Sequence, residues 1–277
     1  MGQLFDGLQN ALGAALAFFY DLIPSYGLAI VLLTVVVNLL LFPLTLKQTR
    51  STRAFTSIQP EVRRIQKEMK ENPQEMQKEL MRVQREAGAT PGGCLLPLLV
   101  QFPIWLALFR VLSVTGIAHI PAGSALRAAI EAGHNTFLGM DLSLRVSEAV
   151  GQGILVGLPY LLMLAIMIAT QYVQQWHATA GQVRPDNPQA AASQAVTKIM
   201  PLFIGFVSYN FPAGLVLYWM TGNIFRLGQQ LVIYRIDGRP TMPQVEAPKP
   251  RSEPDENKSV GRPQPGSADR RRRRRRK

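Results

Sequence analysis

Apolar positions in this chain gather into long blocks instead of alternating with polar ones. Four stretches contain no Asp, Glu, Lys or Arg: Leu22–Leu46 (25 residues), Ala87–Phe109 (23), Ala149–Val183 (35) and Ile199–Phe225 (27). An uncharged apolar stretch of about 20 residues crosses roughly 30 Å of hydrocarbon as a helix. The last block is interrupted by Asn210-Phe211-Pro212-Ala213-Gly214. Proline removes a helix donor and clashes with the preceding turn, and Asn and Gly suit a tight reversal, so this block predicts two helices. The helix before the break, about 195–211, has an apolar part of about 14 residues, or about 21 Å at 1.5 Å per residue. It is shorter than the bilayer core and calls for local thinning or shelter by neighbours.

Shorter patterns flank these blocks. Phe5, Leu8, Leu12, Ala15 and Phe19 share one face of a helix, with Asp6, Gln9 and Asn10 on the other side. That stripe is too short to span, which predicts an interfacial helix on the outer leaflet. Between the first two blocks, Val62, Ile65 and Met69 form one helical stripe and Met76, Leu80 and Val83 another. Asn72-Pro73-Gln74-Glu75 between them reads as an N-cap, a first-turn proline and a third-position acid, and Gly88 ends the second helix. The outer faces mix Glu with Lys and Arg at three- and four-residue spacing, as exposed helices do. This is a helical hairpin with a small core. About 40 residues is far more than two spans need to be joined.

Charge decides how many spans there are. The net charge of +12 divides into +7 in residues 236–277 and +5 in residues 1–235. Short segments rich in Lys and Arg stay cytoplasmic. Ten basic residues lie from Lys47 to Arg85, while the segment between the second and third blocks, around 113–150, holds only Arg127 and Arg145. The hairpin is therefore inside and the N-terminus outside. The loop with Arg184 and Lys198 is then inside, and the tail returns inside only if there are five spans. Arg226 counts as a single charge toward the cytoplasmic end of the last span. The tail has seven prolines between Pro240 and Asp269 and almost no large apolar residue, and it cannot fold. It closes on Arg270, Arg271, Arg272, Arg273, Arg274, Arg275, Arg276 and Lys277. This polycation suits anionic lipid headgroups or, equally, the phosphates of ribosomal RNA.

The expected architecture is an all-α membrane protein. Residues 1–24 form the interfacial amphipathic helix and residues 25–235 the core. The spans fall at about 25–46, 91–115, 151–176, 195–211 and 213–234, with the cytoplasmic hairpin at 51–88 and a disordered basic tail at 236–277. The start MGQLFDGLQN lacks the basic region of a signal peptide, and the single cysteine, Cys94, supports neither an internal disulfide nor a multi-cysteine metal site.

No catalytic constellation stands out. His119, His134 and His177 lie singly without metal-ligand spacing, and Gly151-Gln-Gly153 and Pro91-Gly-Gly93 lack the context of a phosphate loop. The expectation is a non-enzyme without cofactor or metal. What remains is uncharged polarity inside the spans: Thr34, Asn38, Gln101, Gln171, Gln174, Gln175, Asn210, Thr221 and Asn223. Such side chains face a bundle interior or a water-filled cavity, because lipid does not satisfy them. Interhelical hydrogen bonding, at about 0.6 kcal/mol a contact, is the plainer account of any one of them. Asn38 lies one turn from Thr34, so both point the same way.

Several segments resemble the YidC membrane-protein insertase family, which groups the bacterial, mitochondrial oxidase-assembly and chloroplast insertases. They are Phe42-Pro43-Leu44 with Thr45–Ser51, Ile58-Gln59-Pro60-Glu61 with the charged hairpin after it, Pro91–Ile104, and Phe211–Trp219. The resemblance covers roughly residues 25–235, in order. It implies five helices around a hydrophilic groove open to cytoplasm and lipid, and passage of hydrophobic segments of nascent proteins sideways into the bilayer, alone or with the Sec translocon. It places the chain in a bacterial-type plasma membrane. On the family's pattern Thr34, Gln171, Tyr218 and Trp219 line the groove or its lipid-side slide, and Asn38 and Gln101 join them from their position. Arg63, Arg64 and Lys67 of the hairpin, with the basic tail, are candidates for ribosome or lipid contact. One position departs: the family usually carries an arginine five residues before the Pro-Leu, and here it is Asn38. Two other readings are a small-solute transporter, for which no internal repeat is found, and a ribosome-tethering assembly factor without insertion activity.

Overall fold

In the computed structural model, residues 2–88, 95–179 and 188–238 are described, and among them the chain is almost wholly helical. The elements run α1 (Gly2–Leu22), α2 (Tyr26–Leu40), α3 (Phe42–Ser57), α4 (Gln59–Glu68), α5 (Pro73–Glu86), α6 (Leu95–Val111), a 3-10 helix (Val114–His119), α7 (Ala125–Glu131), β1 (Thr136–Phe137), β2 (Met140–Asp141), α8 (Val146–Gly151), α9 (Ile154–Thr179), α10 (Pro188–Ser208) and α11 (Ala213–Asp237). The stretch Pro91–Cys94 and everything from residue 239 on, including Arg270–Lys277, lie outside the described residues.

Helix α9 is the one described helix long and apolar enough by itself to cross a membrane, over Ile154–His177, and only 28% of its most apolar window is buried. Leu155 is 87% exposed, and Leu158, Leu162 and Ile166 are exposed as well. A soluble core helix hides such residues, so this face is made for lipid. In α10, Ile199, Leu202, Phe203 and Phe206 are exposed in the same manner. The apolar part of α10 is Ala195–Ser208, the short helix that the Asn210–Gly214 break predicts.

The expected first span, 25–46, is not one straight helix. It bends by 58° between α2 and α3. Pro43 stands in the first turn of α3, where its missing N–H and its ring against the carbonyl four residues back, that of Leu39, end the upstream helix. Residues 51–57, placed in the hairpin from sequence, continue α3, and the hairpin proper is α4 and α5. Among its described residues Ile65 alone is fully buried. Gly88, at φ +68°, closes α5 as expected.

Helix α1 forms where the periodicity places it, but it is packed, not merely laid on a surface. It lies against α2, α6, α7 and the 3-10 helix. Its buried positions are Gln9, Leu12, Gly13, Leu16 and Ala17. Gln9, assigned from sequence to the polar side, is fully buried. The reason is Gly13: a Cβ there would collide with the carbonyl of His119, so the closest approach follows the glycine and not the bulkiest side chains.

The segment from the 3-10 helix to α8 caps the end of the bundle where α10 turns into α11. The β1–β2 hairpin pairs Thr136 with Asp141 and Phe137 with Met140. Backbone bonds fix the turn to this cap: Ala213 N to Leu144 O at 2.8 Å, Gly214 N to Leu142 O at 2.8 Å, and Ser147 N to Tyr209 O at 2.9 Å. Asp141 is the organiser, accepting from Asn135 Nδ2 (2.8 Å), Ser143 N (2.8 Å) and Ser143 Oγ (2.6 Å). Leu126, Leu142, Val146 and Ala149 of the cap are fully buried and continuous with the core of α2 and α11.

Candidate functional site

Polar residues of α2, α6 and α9 meet one helix, α11. Helix α11 packs against α9 and α2, and it reaches three neighbours through polar side chains. Toward α2, Gln229 Nε2 donates to the Asn38 carbonyl at 3.1 Å. Toward α6, Gln101 Nε2 meets the Tyr218 hydroxyl at 3.4 Å. Toward α9, Gln174 Nε2 donates to the Asn223 carbonyl at 2.7 Å, and Asn223 Nδ2 to the Met167 carbonyl at 3.4 Å. In an apolar setting these bonds tie a helix bundle together, and each polar group left over needs water or an incoming polar group. Among the described residues Asn223 Oδ1, Gln229 Oε1 and Ser208 Oγ have no hydrogen-bond partner.

Thr34 and Asn38 stand together as their spacing predicts. Thr34 is fully buried and donates to the Ile30 carbonyl at 2.6 Å. Asn38 is 6% exposed and donates from Nδ2 to the Thr34 carbonyl at 2.8 Å. Both face Gly222, where a Cβ would lie 3.8 Å from Asn38 Nδ2 and from Thr34 Cγ2.

The other expected site residues divide. Gln101 and Tyr218 are a pair. Trp219 turns away from them into an aromatic group, 5.9 Å from Trp105, which in turn lies 6.0 Å from Phe109 and 6.3 Å from Phe211. Gln171 is half-buried on α9, and no side-chain hydrogen bond holds it among the described residues. On the hairpin, Arg64 pairs with Glu61 and Glu68, and Arg63 and Lys67 lie on the same helix, α4.

Sequence reading missed one member of this strip. Arg226 was counted toward the cytoplasmic end, yet it stands one helical turn after Gly222 and three residues before Gln229. The positions 222, 226 and 229 recur at i, i+4 and i+7, a single helix face. Gly222 and Gln229 both meet Asn38, and residue 226 falls between them on that face. Arg226 is half-buried. No carboxylate pairs with it among the described residues. The signal was present in the helix period. A count of charge-free residues along the chain does not register which residues of two helices share a level.

At the far end of α11 from the cap, Arg50 of α3 grips Asp237 through two bonds, Nε to Oδ2 at 2.9 Å and Nη2 to Oδ1 at 2.8 Å. Arg53 adds a bond to the Gly238 carbonyl (3.1 Å) and lies 5.1 Å over the Tyr234 ring. The hydrogen bond from Arg50 holds the Asp237 carboxyl below the ordinary carboxylate range. Among the described residues no group of three His, Cys, Asp or Glu could hold a metal ion.

Residues 18–239 match the family model of the 60 kDa inner membrane protein. Over 221 residues the chain is 34% identical to the inner membrane ALBINO3-like protein 2, chloroplastic, of Chlamydomonas reinhardtii, covering 76% of this chain and 50% of that protein. Over 239 residues it is 31% identical to the membrane protein insertase YidC of Treponema denticola, covering 82% of this chain and 37% of that one. Over 215 residues it is 32% identical to the YidC of Clostridium tetani, covering 77% of this chain and 83% of that one. The chain thus spans half or less of the first two relatives and most of the third.

Proposed function

Because the chain belongs to the 60 kDa inner membrane protein family, which includes YidC and the ALBINO3-like proteins, we propose that it is a membrane-protein insertase. It accepts hydrophobic segments of nascent proteins beside the polar strip of α11 and releases them sideways into the bilayer, alone or with the Sec translocon. The five apolar helices α2, α6, α9, α10 and α11 are its spans, with α1 and the cap outside and the α4–α5 hairpin and basic tail in the cytoplasm. The hairpin and tail meet the ribosome or anionic lipid.

The observation that carries this reading is the pairing of a polar strip, uncharged but for Arg226, with a lipid-facing apolar exterior. Thr34, Asn38, Asn223 and Gln229 are all buried. Moving a charge to the middle of a bilayer costs about 2.5–3.5 kcal/mol on insertion scales, and polar partners with water lower that cost. The cap, bonded to the α10–α11 turn, supports closure toward the outside. The short apolar part of α10, Ala195–Ser208, supports a locally thin bilayer, which shortens the remaining path. The test is photo-crosslinking from positions 38 and 219 to a ribosome-stalled nascent membrane protein. Adducts with the inserting segment are expected from both positions. Their absence, with the chain folded and the ribosome bound, overturns the reading in favour of a tether.

A further inference from the structure

We infer that α1 is a releasable strap. It exchanges between its seat against α2, α6 and the 3-10 helix and a position in the outer-leaflet interface, and the buried Gln9 amide sets that balance. Its use rests on the insertase reading: release of α1 frees α6 to move away from α2 as a client passes.

Three observations carry it. The first is the cost of the seat. Gln9 is fully buried, and neither its Nε2 nor its Oε1 has a hydrogen-bond partner among the described residues. A carboxamide hidden with donor and acceptor both unmet weakens the contact that hides it. The second is a competing face. The packed positions are Gln9, Leu12, Gly13, Leu16 and Ala17, whereas the apolar stripe is Phe5, Leu8, Leu12, Ala15 and Phe19. At 3.6 residues per turn these two faces stand about a quarter of a turn apart. In the seat Phe5, Leu8, Ala15 and Phe19 are therefore only half-buried. Ala17, on the polar side with Asp6, Asn10 and Asp21, is hidden instead. A roll of that size lays the whole stripe on lipid and returns Gln9 to the polar rim and Ala17 to water.

The third is position. Helix α1 lies against both α2 and α6, whereas α2 and α6 make little contact with each other among the described residues. The far side of α6 is joined to α11, through Gln101 and Tyr218 and through Trp105 and Trp219. So α6 is hinged on α11 and fastened to α2 by way of α1. The polar contacts that close the fastening are exposed ones: Asn10 Oδ1 and His119 Nδ1 lie 3.1 Å apart, and the Arg110 guanidinium stands 5.4 Å over the Phe5 ring. Two seats of similar merit for one helix make a two-state element that a passing segment can bias.

The test uses the full chain with Cys94→Ser, reconstituted in vesicles and supplied with a single-span client. Ala17→Cys reports the seat, because position 17 is hidden when α1 is docked and faces water when it is not. Gln9→Leu slows its labelling by a water-soluble maleimide about five-fold or more, since docking then hides no unmet amide. Gly13→Leu, whose side chain would meet the His119 carbonyl, speeds the labelling. A second chain carries Asn10→Cys and His119→Cys, joined by a short reducible crosslinker. The joined chain inserts the client about five-fold more slowly or worse, and reduction restores the rate. Labelling in Gln9→Leu within about two-fold of the parent overturns the inference. So does full insertion by the joined chain. Failure of the reduced chain to insert the client instead contradicts the insertase reading, and the labelling then decides the exchange of α1 by itself.

Discussion

Asn38 makes two kinds of bond, and they predict different things. Its side-chain amide donates to the carbonyl of Thr34 within α2, while its backbone carbonyl accepts from Gln229 of α11. Replacing Asn38 by Leu removes the first and leaves the second in place. An interhelical or intrahelical side-chain bond in a membrane protein averages about 0.6 kcal/mol, so the Asn38→Leu chain folds with a thermal midpoint close to the wild type. The polar surface presented at the level of Gly222 and Arg226 is nevertheless lost. Clients with polar translocated tails then insert less well than clients without, measured in the same vesicles. Equal insertion of both by the Leu variant would remove Asn38 from the site. At this scale the sequence was informative about residue type and misleading about company. Thr34 and Asn38 sit together because they are four apart on one helix, which spacing reveals. That Arg226 falls on the face of α11 that meets them depends on how α11 is set against α2, which no single-helix pattern contains.

Among the elements, α11 is joined to the rest at both ends, by the cap at its start and by Arg50 at its finish. The second joint is sensitive to pH, and its sign follows from the direction of the shift. The Asp237 carboxyl, held by the hydrogen bond from Arg50, titrates below its ordinary value of 3.8. Such a group contributes stability in full at pH values above 3.8, and that contribution disappears as the pH falls through the lowered native value. Both partners are exposed enough for salt to screen them. Protection of the backbone amides in the last turn of α11, taken relative to the intrinsic exchange rate at each pH, should therefore fall on acidification in the wild type, whereas in Asp237→Asn it is low at every pH. Identical pH profiles would mean that the Arg50 joint does not hold the turn. The elements themselves were largely legible in the chain: the hairpin with its Asn72-Pro73 turn, the break at Asn210–Gly214, and the N-terminal helix all occur where pattern and turn chemistry put them. Their boundaries fail where tertiary packing intervenes. Pro43 bends the first apolar block, and Gly13 rotates α1 so that Gln9 is inward.

For the molecule as a whole, exposed apolar faces on α9 and α10 and a polar strip on α11 give an inside-out distribution that suits lipid around and water within. Direction is then read from Lys and Arg: the α4–α5 hairpin carries the dense basic segment, while the cap between α6 and α9 carries Arg127, paired with Glu131 on α7, and Arg145, just before α8 and paired with Glu148. This predicts that cap and hairpin lie on opposite sides. With Cys94 replaced by Ser, a single cysteine introduced at Ala132, exposed at the end of α7, and another at Gln77, exposed on α5, report the two sides separately. A membrane-impermeant maleimide added to intact cells should label Ala132→Cys at once and Gln77→Cys only after the membrane is opened. The reverse pattern would invert the topology, and labelling of both in intact cells would place the hairpin and the cap on one face, which five spans do not allow. Because the tail follows α11 directly, the side on which Gln77→Cys reacts also decides whether Arg270–Lys277 face the ribosome's compartment or the opposite one.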